Sequence, residues 1–326
     1  MKFLIVDLAN TFFRARHTAH RAQTAEEKAG LAIHVTLSIV AKYWREQQAD
    51  HVVFCLEGRS WRKDFYAAYK RNRAVARAAS TPAQAAEDQL FWQTLDQLIE
   101  FLRERTNCTV LQHPELEGDD LIAGWIQNRP ADQHVIVSSD TDFIQLLAAN
   151  VTQYNGIQDE LYTLEGVFDA RGKPVLDRKT GEHRQVADPQ WLLFEKCMRG
   201  DTTDNIFSAY PGVRTRGSRN RVGLTEAFAD HQTQGFCWNN LMLQRWTDHL
   251  GQEHRVLDDY NRNRVLVDLT LQPEPIRQLI NTTVQSATSL NRPQVGSQFL
   301  KFCGRYELNR LSDQSTQWGQ ILSAGL

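Results

Sequence analysis

Phe3-Leu4-Ile5-Val6-Asp7-Leu8 is a short apolar run, rich in branched side chains, that ends in a carboxylate. Apolar and too short for a stable helix, it reads as a strand buried on both faces. The same kind of run recurs over 51–56, 108–112 and 134–138, and between these lie longer segments with helical spacing, roughly 27–46, 83–105 and 119–128. Strands alternating with helices imply a parallel sheet covered on both faces. Ligands of such sheets sit outside the carboxyl ends of the strands. Asp7, Glu57 and Asp140 fall at those ends, and Glu117-Gly118-Asp119-Asp120 opens the helix after the third strand.

With 326 residues, 41% of them hydrophobic, the chain can bury a large core, and length suggests about two domains. A net charge of -2 says little about a polyanionic partner, because it averages over patches of opposite sign. Cys55, Cys108, Cys197, Cys237 and Cys303 are scattered, with no Cys-x-x-Cys pair, so neither a disulfide framework nor a zinc site is indicated. A reducing cytoplasm is expected. The first apolar run is too brief for a signal peptide, and no later run is long enough to span a membrane. Residues 153–186 alternate and carry Gly-containing turns, which predicts a hairpin-like excursion. After Asp188-Pro189 the chain reads as helical to its end, where Trp318, Ile321 and Leu322 fit either a core or a docking peptide.

The carboxylates carry the chemical argument. A single Asp after a strand is often only a turn residue, and Glu117 to Asp120 suits a helix N-terminus without any metal. Asp140 and Asp142, two apart on a loop leaving a strand, can point to one centre; so can Asp201 and Asp204, which share a face if a helix starts behind Gly200. Many carboxylates on one rim repel each other unless cations neutralise them, and all-oxygen ligation selects Mg2+ or Mn2+. Two such ions form a clamp for in-line displacement at phosphorus. No P-loop is present, so phosphodiester hydrolysis is favoured over transfer from a nucleotide triphosphate.

Residues 59–77 bring Arg59, Arg62, Lys63, Lys70, Arg71, Arg73 and Arg77 together against Asp64 alone, with Trp61, Phe65, Tyr66 and Tyr69 interleaved. Cations meet phosphates and aromatic faces stack on unpaired bases, although the same pattern fits an amphipathic helix whose rings merely pack. A second run places Arg214, Arg216, Arg219 and Arg221 around a Gly-containing turn suited to a phosphate or to a plain surface loop.

In order, Ile5-Val-Asp-Leu8, Tyr69-Lys-Arg-Asn-Arg73, Glu117-Gly-Asp-Asp120, Ser139-Asp-Thr-Asp142 and Gly200-Asp-Thr-Thr-Asp-Asn205 resemble the flap endonuclease and 5′-nuclease superfamily. Trp61-Arg-Lys-Asp-Phe65 and Asn261-Arg-Asn-Arg-Val-Leu-Val-Asp268 are most similar to its T-even bacteriophage ribonuclease H subgroup. The resemblance implies an α/β fold: a PIN-like nuclease domain over 1–187, with a parallel central sheet flanked by helices and a helical arch at about 59–80. A smaller all-helical DNA-binding domain with a helix-turn-helix-like segment would follow over 188–326.

It further implies Asp7, Glu117, Asp119 and Asp140 around a first Mg2+, with Asp120 and Glu57 in the same acidic set. Asp142, Asp201 and Asp204 would surround a second, with Mn2+ able to substitute. Lys70 would steer the scissile phosphate and Arg73 support it, while Arg59, Arg62, Lys63, Tyr69, Arg71, Arg77 and the four later arginines would bind nucleic acid. The family has Asp where Glu57 stands, one methylene longer. The implied activity is 5′-3′ exonuclease, flap endonuclease and ribonuclease H cleavage of DNA and RNA-DNA duplexes during lagging-strand primer removal. The enzyme would be a monomer working with a single-strand-binding protein and a sliding clamp. A PIN-type endoribonuclease and a catalytically impaired structure-specific binding protein are the alternatives.

Overall fold

The computed structural model describes residues 1–18, 24–287 and 291–325. Its first elements are β1 (Lys2–Asp7), α1 (Leu8–Thr18), α2 (Ala25–Glu46), β2 (His51–Cys55), α3 (Arg62–Phe65), α4 (Arg71–Ala78), α5 (Pro82–Arg105) and β3 (Thr109–Leu111). Then come α6 (Gly118–Gln127), β4 (Gln133–Val137), β5 (Val151–Asn155), β6 (Glu160–Thr163) and β7 (Gly166–Asp169). The seven strands form one sheet in the order β3-β2-β1-β4-β5-β6-β7. Pairing is parallel from β3 to β5 and antiparallel from β5 to β7.

β1 is buried along nearly its whole length, which is why its residues are apolar on both faces. It lies between β2, where Asp7 registers with Cys55, and β4, where Val6 registers with Val137. From β1 the chain winds outward to β2 and β3, then returns to β1's other side with β4. The strand order therefore reverses between β1 and β4, and a crevice opens at their carboxyl ends. The helices start where the sequence supplies caps. Thr24 accepts from the Glu27 amide at 3.1 Å ahead of α2, and Thr81 accepts from that of Gln84 at 3.3 Å ahead of α5.

After β7 come α7 (Pro189–Arg199), α8 (Leu224–Ala229), α9 (Phe236–Met242), β8 (Arg245–Thr247), β9 (Glu253–Arg255) and α10 (Val256–Val267). The chain ends with α11 (Glu274–Gln285), α12 (Val295–Arg305), α13 (Asn309–Ser312) and α14 (Ser315–Ser323). Two compact units result, interleaved in sequence: 1–60, 80–186 and 275–326 in the first, 61–79 and 187–274 in the second.

Three expectations are corrected here. A single cut at 187/188 does not separate the units, because Phe299, Phe302, Trp318, Ile321 and Leu322 are buried in one cluster with Leu4, Val52 and Phe101 of the first unit. The tail is thus core up to Leu322; truncating a fully buried Trp such as Trp318 costs about 3–5 kcal/mol. Residues 61–79, expected as an arch of the nuclease domain, belong to the second unit, where Tyr69 packs with Phe194, Trp238 and Tyr260. Nor is that unit all helical: β8 and β9 pair antiparallel across a turn in which Asp248 accepts the amides of Leu250 and Gln252. Among the described residues no helix is long and apolar enough to cross a membrane.

Candidate active site

Asp7 closes β1 with its side chain only 5% exposed. Its carboxylate accepts from the Asn10 amide at 3.1 Å and from the Ser138 hydroxyl at 2.9 Å. Burial, with the charge of Asp140 adding to it, pushes the carboxyl up to about 6 despite those donors. Ser138 also accepts the Asp140 amide at 3.1 Å, so one hydroxyl ties together the two acids at the sheet reversal. Asp140 in turn caps a 3-10 turn over Thr141–Leu146 by accepting the Asp142 amide at 3.0 Å. From β5 the fully buried Gln153 donates to the carbonyls of Ser138 at 2.9 Å and Asp140 at 2.6 Å, which fixes the path of the acidic loop.

Glu57 reaches the start of α6, where its carboxylate accepts the Gly118 amide at 3.3 Å. Gly58 allows this approach, since a Cβ there would stand 2.1 Å from the His113 carbonyl oxygen. Glu117 is buried and accepts from the Ser60 hydroxyl at 2.7 Å, while Asp120, fully buried, accepts the Glu117 amide at 3.2 Å. Asp120 therefore caps its own helix. Asp119 is half-buried, and its charge joins that of Asp7 in pushing the buried Cys55 thiol up, after burial itself. Asp7 and Asp119 thus flank the end of β2.

Among the described residues no group of three or more His, Cys, Asp or Glu side chains is drawn together as a metal cage. In the first unit, hydroxyl and amide donors hold the acids. The donor set still suits a hard divalent cation: it is all oxygen, and burial above all pushes the Asp7 carboxyl up to about 6, a cost to its charged form that a nearby cation offsets.

In the second unit Asp201 and Asp204 lie on a loop, not on a shared helix face. Gly200 ends α7 at φ +76, where a Cβ would stand 2.3 Å from the Ile206 carbonyl oxygen, and Asp201 and Ile206 close the loop by mutual backbone bonds. Burial would raise the Asp201 carboxyl, but Lys196 at 2.8 Å and the amides of Thr203 and Asp204 outweigh it and hold it low. Asp204 gathers the basic stretch. It accepts from Arg73 at 2.5 Å and the Tyr69 hydroxyl at 3.2 Å, and lies 3.8 Å from the Lys70 ammonium. Lys70 adopts φ +54, and its amide donates to the Asp204 carbonyl at 2.8 Å.

The basic residues divide by burial. Arg62 is buried and donates to the Leu266 carbonyl at 2.8 Å, so it holds the second unit together and does not face a ligand. Trp61 and Tyr69 are buried too, which makes those aromatics packing groups. Arg59, Lys63 and Arg71 are exposed, and the Arg77 side chain lies outside the described residues. Arg214, Arg216, Arg219 and Arg221 are all exposed on a loop braced from below: Glu226 accepts the amides of Gly217 and Gly223, each at 2.9 Å. Sequence reasoning passed over Ser138, Gln153, Ser60, Lys196 and Glu226. Only Ser138 carried a signal, as a polar residue closing an apolar strand beside an acid.

Residues 2–172, over half of the chain, match the family model described as 5′-3′ exonuclease, N-terminal resolvase-like domain. The chain is 25% identical over 267 residues to the ribonuclease H of Enterobacteria phage T4, covering 77% of this chain and 74% of that one. It is 29% identical over 187 residues to the DNA polymerase I of Rhizobium leguminosarum, a match of 56% of this chain that spans 15% of that protein. A flap endonuclease of bacteriophage T5, described in complex with DNA and metal ions, superposes with a TM-score of 0.60 at 19% identity, covering 87% of this chain and 98% of that one.

Proposed function

The chain belongs to the 5′-3′ exonuclease family, within the flap endonuclease and 5′-nuclease superfamily, and from that premise we propose a divalent-metal-dependent nuclease acting at 5′ ends and flaps. Its substrates would be DNA and RNA-DNA duplexes, and its role the removal of lagging-strand primers. The observation that carries this reading is the Asp7 and Asp140 pair, tied by Ser138 at the reversal point of the sheet. The description of the T5 flap endonuclease with DNA and metal ions supports it.

Asp7, Glu117, Asp119 and Asp140 would hold a hard cation such as Mg2+. When bound, it supplies positive charge against the charge that develops on the phosphoryl oxygens. The chain's own groups orient the reaction. Within the first unit Ser138 and Gln153 hold the acids in place; within the second, taken by itself, Asp204 positions Lys70 and Arg73, whose N-H groups suit a phosphate.

The test offers 5′-flap DNA, an RNA-DNA hybrid and single-stranded RNA to the wild type and to Asp140→Asn, with Mg2+ or with EDTA. Flap and hybrid cleavage that needs the metal and is lost in the variant is expected. Cutting in EDTA, or an unaffected variant, overturns the metal assignment. Preference for single-stranded RNA makes the chain an endoribonuclease, and tight binding of forks without cutting makes it a binding protein.

A further inference from the structure

A cavity of about 300 Å³ opens between α1, α2 and the turn from β5 to β6, immediately beside the acid pair. Val35 and Ile39, four apart on α2, form one wall, and the small Ala15 of α1 leaves the space facing them. Ile157 stands at the lip with 61% of its surface exposed, an apolar group left in water. Ser138 lines the same cavity, so it is continuous with the Asp7 site through one residue.

We propose that this cavity receives one nucleobase of a nucleotide bordering the scissile phosphate, with Arg14 at its edge meeting the adjoining backbone. The size is at the small end of ligand pockets and admits one flat ring system. The polar groups argue against base-specific readout. Asn10 already accepts from the Ser139 hydroxyl at 2.8 Å and from the Ser139 amide at 3.3 Å, which occupies its acceptor. What the slot offers a base is apolar contact, and every base has a flat face to bury. Arg14 lies close enough to Asp7 for its charge to act on that carboxyl, which puts a cation at the junction of cavity and acids. The slot thus senses the presence of a base and not its identity. This inference rests on the nuclease reading above.

The experiment scans an abasic site through the nucleotides on either side of the cut in a 5′-flap DNA. Cleavage in Mg2+ gives kcat and KM, and fluorescence anisotropy in EDTA gives binding without chemistry. One position is expected to raise KM and weaken binding about tenfold when abasic, while exchange among the four bases there changes either by less than about threefold. Val35→Phe and Ile39→Phe, which fill the slot, should impose about the same loss on the intact substrate and none on the abasic one. Undiminished cleavage of the abasic flap by these same variants checks that the loss on the intact substrate does not come from misfolding. A wild type that cuts the flap with no abasic-sensitive position, or filling variants that lose equally on both substrates, overturns the pocket and leaves the nuclease standing. A wild type that neither cuts nor binds the flap overturns both.

Discussion

The Ser138 hydroxyl donates to the Asp7 carboxylate at 2.9 Å across the seam between the parallel strands β1 and β4, where the strand order reverses. Asp7 is buried, and Asp140 adds its charge nearby, so at neutral pH the site holds a negative charge at a cost to the metal-free fold. An Asn can keep both contacts, because its oxygen accepts the Asn10 amide and its amide donates to Ser138.

Asp7→Asn is therefore expected to abolish cleavage and yet raise stability in EDTA by about 2–3 kcal/mol at pH 8. The sign follows from a folded pKa of about 6, above the usual 3.8. The wild type's advantage is full below pH 3.8 and lost as pH rises through 6, so the variant's gain should appear over that interval. Urea melts in EDTA from pH 4 to 8 measure it; a variant less stable than wild type at pH 8 would refute the account.

Gln153→Leu removes the donor shared by the Ser138 and Asp140 carbonyls in a place water does not reach. Leaving buried carbonyls unpaired costs roughly 2–4 kcal/mol. The acid loop should also lose its register, so kcat is expected to fall more than KM rises. Equal cleavage by a variant that has lost that stability would show that loop position is irrelevant to chemistry.

The strand ends, and hence Asp7, Glu57 and Asp140, were legible because a buried parallel strand needs a continuous apolar run and its end is marked by the first charge. The starts of α2, α5 and α6 were legible from helical spacing to within about two residues. Arg62 and Lys63 show the limit. Neighbours of the same charge, one is buried because the Leu266 carbonyl, far along the chain, is there to accept from it, and the other is exposed. Residues 275–326 read as helical whichever core they join, so the interleaving of the units left no mark in the periodicity. The strands β8 and β9 are too short to alternate visibly. Gln153 sits in a strand, and only the fold brings it to the acidic loop.

One oxygen of Asp159 accepts from Tyr43 at 2.5 Å, Tyr154 at 2.7 Å and Lys42 at 2.5 Å, which pins the turn carrying Gly156 and Ile157 to α2. Partial burial works to raise this carboxyl, but the three donors outweigh it and bring it down to about 2. Its contribution is thus present above pH 3.8 and lost as pH falls toward 2. Asp159→Asn should cost about 1 kcal/mol at pH 7, a small value because the side chain is half exposed to screening water. The difference between the two melts should narrow below pH 4 and close toward pH 2. A gap that is undiminished near pH 2, or that widens on acidification, would mean the side chain acts by shape and not by charge.

The loop bearing Arg214, Arg216, Arg219 and Arg221 separates two effects that net charge confuses. Each arginine that meets a phosphate releases counterions, so Arg216→Ala with Arg219→Ala should weaken duplex binding and lower the slope of log K against log salt by about 1–2. Glu226, an anion, does not bind phosphate itself; it holds the loop by accepting the amides of Gly217 and Gly223. Removing a carboxylate should strengthen binding to DNA if electrostatics alone mattered. Glu226→Gln, which keeps the shape but leaves a weaker, neutral acceptor, is expected instead to weaken binding several-fold with the salt slope unchanged. Anisotropy titrations between about 50 and 200 mM salt distinguish the cases. Tighter binding by Glu226→Gln would show that the brace contributes nothing to recognition.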